Sequence, residues 1–487
     1  MKLTLAEIAG FTGGQILGGD PSTAVASYSI DSRTLAPGAL FVALQAERDG
    51  HDFVGDALDR AAVAALVSRP VGVRGGQVKP PTLVLVDDTA AALTALGRAA
   101  RDRLGGQTPA GGRDLPVVGI TGSTGKTSTK DLTAAALAPA GPVGASPVSF
   151  NNEIGVPLTL LSAPAGAAAV VVEMGARGIG HIATLCAVAR PTVGVITNIG
   201  MAHAEFFGSR EEVALGKGEL LESLPADGHA VLSADDDMTP GLRARTAAAV
   251  LTAGGAPTAD VQVSDVRLDD DLRPAFRLDT PWGTADVPPL PVRGAHQAGN
   301  AAFAIAVAGV AGVALDAAVA GLAGALGSPL RMDLRRSPAG LVVLNDSYNA
   351  NPTSMAAAVE ALAALSAGGR RFAVLGPMAE LGEHSGPEHQ RLGRLVAGAG
   401  VELLVTVGAP DLAEGARAAG AETVEVENAD AAVRALVSQL RSGDAVLVKA
   451  SRVVGLERVA AALLEWPGGR GVSPRQARRE PQQGAGT

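Results

Sequence analysis

Short runs of apolar, mostly β-branched residues alternate along this chain with alanine-rich stretches of helical period. No other feature constrains the fold so strongly. "PVVGI", "AAAVVVE" and "PTVGVITN" lie between residues 116 and 198, and "LVVLND", "RFAVLG", "ELLVTVG", "TVEVE" and "DAVLVKAS" lie between 341 and 451. A strand without polar alternation is covered on both faces, which happens when crossover helices flank a parallel sheet. The pattern therefore predicts an α/β protein with two such sheets, the second a doubly wound, Rossmann-like domain.

Gly- and Pro-rich punctuation divides the 487 residues. "GGQTPAGGRDLP" (105–116) reads as a linker, and "GSPLRMDLRRSPAG" (327–340) as a second break. Three domains are expected: 1–105, 106–328 built on a P-loop ATPase-like parallel sheet, and 329–466. The segment 467–487 lacks apolar residues and reads as a disordered tail.

The net charge of −9 without a basic stripe argues against nucleic acid as a partner. A single cysteine, Cys186, excludes a disulfide framework and suits a reducing cytoplasm. "MKLTLAEIAG" carries an early Glu7 and does not read as a signal peptide. "AAFAIAVAGVAGVAL" (301–315) is apolar but short and rich in Ala and Gly, so a buried helix is expected there and no membrane insertion. A cytoplasmic monomer is the expectation.

"GITGSTGKTS" (119–128) carries the chemistry. A P-loop asks for Gly, four residues, then Gly-Lys-Ser/Thr, which would put the first glycine at Ile120; here it is Gly122, in Gly122-x-x-Gly125-Lys126-Thr127. The context is nonetheless a strand, "LPVVGI", entering the loop and a helix, "KTSTKDLTAAALA", leaving it. Gly122, Ser123, Thr124, Gly125, Lys126, Thr127 and Ser128 are the expected phosphate cradle. Lys126 would reach the β- and γ-phosphates of a bound nucleotide and the Thr127 hydroxyl a Mg²⁺ ion. Glu173 closes the run "AAAVVV", where ligands collect in open α/β sheets, and His203 follows another strand; an ordinary strand-end carboxylate is the competing reading of Glu173.

With its shortened loop, "TGSTGKTS" resembles the Mur ligases and folylpolyglutamate synthases. The likeness continues through "NNEIGVPLTLL", "EMGARGIGHI", "TNIGMAHAEFFGS", "GKGELL", "GAHQAGNAAFA", "LRMDL", "NDSYNANPTSM", "GPMAELGEHS" and "LVKASR", nearly the whole chain. The resemblance implies ATP-dependent amide formation through an acyl-phosphate, with Lys126, Lys217 and His203 as catalytic residues. Thr127, Glu173, His203 and Lys217 would be the magnesium ligands, Lys217 as a carbamate. The alternative for Lys217 is a solvated helix lysine, which is also the reading of Lys130.

Asn300 matches an adenine-contacting Asn, although Gln297 replaces the Asn that usually precedes it. Arg331 matches an Arg that approaches the phosphates. Asp346, Tyr348, Asn349 and Asn351 resemble the last domain's contribution, with Asp346 and Asn349 as nucleotide contacts. Lys449, Ser451 and Arg452 are weaker candidates. "NDSYNANP" and "MAELGEHS" resemble the branch that joins D-alanyl-D-alanine to UDP-N-acetylmuramoyl-tripeptide. "SIDSRTLAPGALFVAL" and "RDGHDFVGDA" then resemble a UDP-sugar-binding domain. A third-residue-adding ligase, a folylpolyglutamate synthase or an inactive P-loop protein are the rivals, and the third residue of the tripeptide, diaminopimelate or lysine, stays open.

Overall fold

The structure, a computed structural model, describes residues 1–72, 81–106, 115–200, 204–366 and 368–468. The chain forms two compact units, Met1–Arg267 with Pro274–Ser328, and Leu268–Arg273 with Pro329–Thr487.

In the first unit, residues up to 106 carry their own five-stranded sheet, in the order Gln15–Leu17, Leu83–Leu85, Ala64–Val67, Ala39–Val42, Ser27–Ser29. The Gln15–Leu17 strand is antiparallel to its neighbour and the others are parallel. The helix Thr89–Gly105 starts at Asp88, whose carboxylate accepts from the amides of Ala90 and Ala91. Its inward residues Leu93, Leu96 and Ala100 join the same hydrophobic cluster as Val156, Leu160 and Val188 of the next region. This segment thus has its own sheet but no separate core on that side.

The second sheet has nine strands, in the order Gly283–Val287, Pro274–Thr280, Val261–Leu268, Ala249–Gly254, His229–Ser233, Val193–Ile196, Val117–Thr121, Ala169–Glu173, Val143–Ala145. From Val143–Ala145 to Ala249–Gly254 every pairing is parallel. Side chains alternate between two buried layers. Val117, Val170 and Val172 face one, while Val118, Ile120 and Val171 face the other under the helices Lys126–Leu137 and His296–Val310. Burial on both sides is why these strands read as unbroken apolar runs. The chain passes from Val117–Thr121 to the edge, returns beside it, then moves to its other side. Val117–Thr121, Ala169–Glu173 and Val193–Ile196 therefore lie adjacent, and a ligand crevice is expected outside their carboxyl ends.

The apolar run 301–315 divides into the helices His296–Val310 and Leu315–Leu322, and no helix among the described residues is long and apolar enough to cross a membrane. The tail beyond residue 468 lies outside the described residues.

The second unit has a six-stranded sheet in the order Asp333–Arg336, Val342–Asn345, Ala445–Lys449, Arg371–Leu375, Leu403–Val407, Thr423–Val426, parallel except for its first pairing. The last strand in the chain inserts at the centre, and the faces bury separate clusters around Leu344 and Leu404 and around Val343 and Val405. Leu268–Arg273 also belongs here: Leu272 is fully buried in this core and Asp271 pairs with Arg336 at 2.8 Å. Nothing in the linear pattern marks that excursion.

Candidate active site

The strand Val117–Thr121 leads through residues 122–125 into the helix Lys126–Leu137, whose N-cap is Gly125. Two backbone positions demand glycine. Gly122 has φ 147° and a Cβ there would collide with Thr197 Oγ1; Gly125 has φ 79° and its Cβ would stand 2.7 Å from Asn300 Oδ1. Neighbouring chain holds the loop in shape. Ser123 N donates to Asn198 O (3.0 Å), and Ser123 Oγ bonds Gly200 O (2.9 Å) and Gly200 N (2.8 Å). Thr124 N donates to Asn198 Oδ1 (3.0 Å), Asn198 Nδ2 to Thr124 Oγ1 (2.5 Å) and Thr197 Oγ1 to Thr124 O (2.5 Å). The first intrahelical amide bond is Thr129 N to Gly125 O at 2.8 Å, so the positive end of the helix dipole is directed at the loop. Lys126 Nζ donates to Gly122 O at 2.7 Å.

Glu173 sits at the carboxyl end of the adjacent strand, 1% exposed. Thr127 Oγ1 donates to its Oε2 (2.9 Å), while Ser149 Oγ (2.6 Å) and Asn151 Nδ2 (2.9 Å) donate to Oε1. These partners are neutral, and no lysine, arginine or histidine among the described residues forms an ion pair with it. A buried carboxylate compensated only by neutral donors, beside two hydroxyls, is a set of hard oxygens that fits Mg²⁺. The described residues contain no group of three acidic, His or Cys side chains gathered for a metal, and His203 lies outside them.

Lys217, in the helix Arg210–Glu222, is 1% exposed and makes no hydrogen bond among the described residues. Burial, and then the charge of Lys126, push its amine well below the usual lysine range. The solvated alternative is excluded for Lys217, and it fails for Lys130 too. Lys130 is fully buried, bonded to Ser146 O and paired with Asp131 at 2.9 Å. Helical position alone misleads here because both lysines face inward.

Asn300 is buried against the P-loop, accepting from Thr129 Oγ1 (3.3 Å) and donating to Gln297 Oε1 (2.9 Å), and Gln297 Nε2 reaches Ser128 Oγ at 3.5 Å. In the second unit Arg331 stacks 4.1 Å over the Tyr348 ring, flanked by left-handed Leu330 (φ 62°) and Met332 (φ 49°). Both carboxylate oxygens of Asp346 are engaged, Oδ1 by Met332 N (3.0 Å) and Oδ2 by Lys449 Nζ (2.6 Å), and Lys449 also donates to Asn349 O (2.8 Å). Asn351 forms a capping box with Ser354 at the start of the helix Pro352–Ala364. Ser451 Oγ accepts from Ala379 N at 2.8 Å, and Arg452 pairs with Glu457 at 3.2 Å.

Sequence reasoning passes over Asp236 and Arg210. Both grip Ile199, between the two residues that hold Ser123 and Thr124. The available signal is "ADDDM" (234–238), three aspartates directly after the apolar strand His229–Ser233.

Residues 120–308 match the model of the Mur ligase middle domain and residues 330–452 that of the Mur ligase glutamate ligase domain. A UDP-N-acetylmuramoyl-tripeptide–D-alanyl-D-alanine ligase of Mycobacterium tuberculosis is 42% identical over 505 residues, spanning 95% of this chain and 98% of the relative. The chain belongs to the Mur ligase family. The ligase of the same description from Escherichia coli is 34% identical to this Mur ligase, over 96% of this chain and 99% of its own. Among solved structures, MurF from Acinetobacter baumannii superposes with a TM-score of 0.81 at 31% identity, covering 96% of this chain and 99% of that one. MurF from Thermotoga maritima, crystallised with ADP, gives 0.71 at 29% identity, covering 90% and 97%.

Proposed function

We infer that this Mur ligase joins D-alanyl-D-alanine to UDP-N-acetylmuramoyl-tripeptide with hydrolysis of ATP to ADP and phosphate, in the synthesis of peptidoglycan precursors. The observation that carries the reading is the meeting of the P-loop, the buried Glu173 and the desolvated Lys217 amine in a chain that aligns from end to end with ligases of that one activity.

A carboxylate is a poor electrophile, so one of its oxygens first attacks the γ-phosphorus and ADP leaves. The dipeptide's amine nitrogen then attacks the acyl carbon, the C–O bond breaks, phosphate departs with that electron pair, and the nitrogen releases its proton. Lys126 and the backbone amides at the start of the helix Lys126–Leu137 hold the phosphates in line and offset the charge that develops on them. Asn300, packed on the loop, takes the base side of the nucleotide. Arg331, Asp346 and Asn349 are the second unit's proposed contribution. Thr127 and Glu173, with His203 and Lys217, would hold magnesium, which when bound neutralises phosphate charge. Lys217 suits that role as a carbamate: a neutral amine forms an N–C bond to CO₂ and loses one proton, and burial favours the neutral amine. Residues 1–105 are proposed to bind the UDP-sugar, and the enzyme to act as a cytoplasmic monomer.

An ADP-release assay across cytoplasmic precursors tests the reading. Release is expected only when UDP-tripeptide and D-alanyl-D-alanine are both present, and running diaminopimelate and lysine tripeptides in parallel identifies the third residue. Release with a UDP-dipeptide and a free diamino acid, or with a folate and glutamate, would instead place the enzyme with the rival ligases.

A further inference from the structure

Ile199 is 2% exposed, and both of its backbone polar groups are held by the two members of one ion pair. Its N–H donates to Asp236 Oδ2 at 2.6 Å, its carbonyl accepts from Arg210 Nε at 2.8 Å, and Arg210 Nη2 closes the ring on Asp236 Oδ1 at 2.9 Å. The Asp236 side chain is 6% exposed, and its Oδ1 also accepts from Met238 N at 3.0 Å, which ties the carboxylate to its own turn. Arg210 has a second partner in the exposed Asp237.

The place of this ring gives it meaning. One residue before Ile199, Asn198 holds Ser123 N and both Thr124 N and Thr124 Oγ1; one residue after it, Gly200 holds the Ser123 hydroxyl. Arg210 is the first residue of the helix Arg210–Glu222, and Lys217 lies two turns further along. The ring therefore links the flank of the phosphate loop to the helix that carries the desolvated lysine. A guanidinium fork suits this task, because its donors leave in fixed directions and reach a carbonyl and a carboxylate together.

We propose that Asp236 and Arg210 are positioning residues that lock the P-loop flank to the Lys217 helix, so that the phosphate cradle and the lysine keep one relative placement through turnover. The proposal rests on the ligase reading above, and neither residue touches a reacting atom. Misplacing reacting groups by about 1 Å costs about 100-fold in rate, so a clamp of this kind acts on turnover and nucleotide binding, not on acceptor recognition.

Arg210→Lys keeps the charge and loses the fork; Asp236→Asn keeps the shape and loses the charge; Asp237→Asn removes only the exposed partner. For the first two, kcat is expected to fall about 100-fold while KM for D-alanyl-D-alanine stays within about twofold. ADP affinity by calorimetry is expected to fall about tenfold, and the double variant to be no more than about twofold worse than either single, since both break one ring. Asp237→Asn should stay within about twofold of the parent in every reading. If kcat and ADP affinity survive within about twofold in variants shown by circular dichroism to be folded, or if the two single losses simply multiply, the clamp is wrong. Should Asp236→Asn fail to fold, Arg210→Lys decides alone. ADP binding needs no acceptor: parent protein that binds ADP but never releases it from ATP with the two acceptors overturns the ligase reading, while the binding comparison still judges the clamp.

Discussion

Lys217 and Lys449 are both withdrawn from water, one in each compact unit, and are kept in opposite electrical company. Lys449 ends the central strand of its sheet with the Asp346 carboxylate at 2.6 Å and the Asn349 carbonyl at 2.8 Å, so its charge is compensated where it lies. Lys217 has no carboxylate partner among the described residues, faces the charge of Lys126 instead, and is driven towards the neutral amine. Burial alone therefore does not assign a lysine; its neighbours decide whether it serves as a cation or as a nucleophilic amine. The chain has only six lysines, and four of them, Lys126, Lys130, Lys217 and Lys449, stand in the P-loop or in the interior. Arginine carries most of the remaining positive charge. It cannot surrender its proton, so it cannot replace the amine at position 217.

The contrast is open to direct test. Lys126→Ala should reduce ligation by about 10³-fold or more with little change in melting temperature, because a phosphate-binding cation is lost from the surface of the loop. Near-normal turnover would remove the P-loop from the mechanism. Lys449→Met strands Asp346 as a buried, unpaired charge and should cost about 3–5 kcal/mol in urea unfolding, with part recovered by adding Asp346→Asn. A cost under about 1 kcal/mol would mean that the pair is not what holds that edge together.

Lys217→Met should do the reverse. Stability stays level or rises, while ligation falls about 100-fold. In the Lys217→Ala protein, acetate or formate should restore part of the rate by presenting oxygens where the carbamate did; full activity at low bicarbonate would discard the carbamate. The pH response comes from the same lysine, in protein free of nucleotide and magnesium. Its folded pKa lies well below the ordinary 10.5, so between the two values the unfolded chain binds the extra proton. Stability from this group therefore rises with pH through that window and levels off above 10.5, and Lys217→Met should flatten the slope. The smallest effect is expected at Asn351, where Ala should cost about 1 kcal/mol and Ser should restore most of it if capping is the residue's main work. A Ser variant as stable as the parent but weakened in ADP binding would return Asn351 to the nucleotide.

Much of the architecture is legible in the linear chain. Each apolar run between 116 and 198 and between 341 and 451 forms a strand; burial on both faces leaves an uninterrupted signature in the inner strands, while the edge strand Thr423–Val426 is only partly buried and alternates, and strand, Gly-Lys-Thr and helix occur together as the loop requires. Local chemistry also announces Glu173 at a strand end. Asp236 and Arg210 stay hidden because each looks like an ordinary surface charge, and their common partner is a backbone amide and carbonyl 37 and 11 residues away in the chain.

By itself the sequence determined the parallel α/β architecture, the position of the phosphate loop and the family to which the chain belongs, since these depend on periodicity and on residues close together in the chain. Only the tertiary structure decided that residues 1–105 share their core with the next region, that Leu268–Arg273 belongs to the second unit, and that Lys130, Lys217 and Lys449 are all buried, the first and last against a carboxylate and a backbone carbonyl, Lys217 against neither among the described residues. Burial and charge pairing are properties of what the folded chain brings near, and no spacing along the chain encodes them.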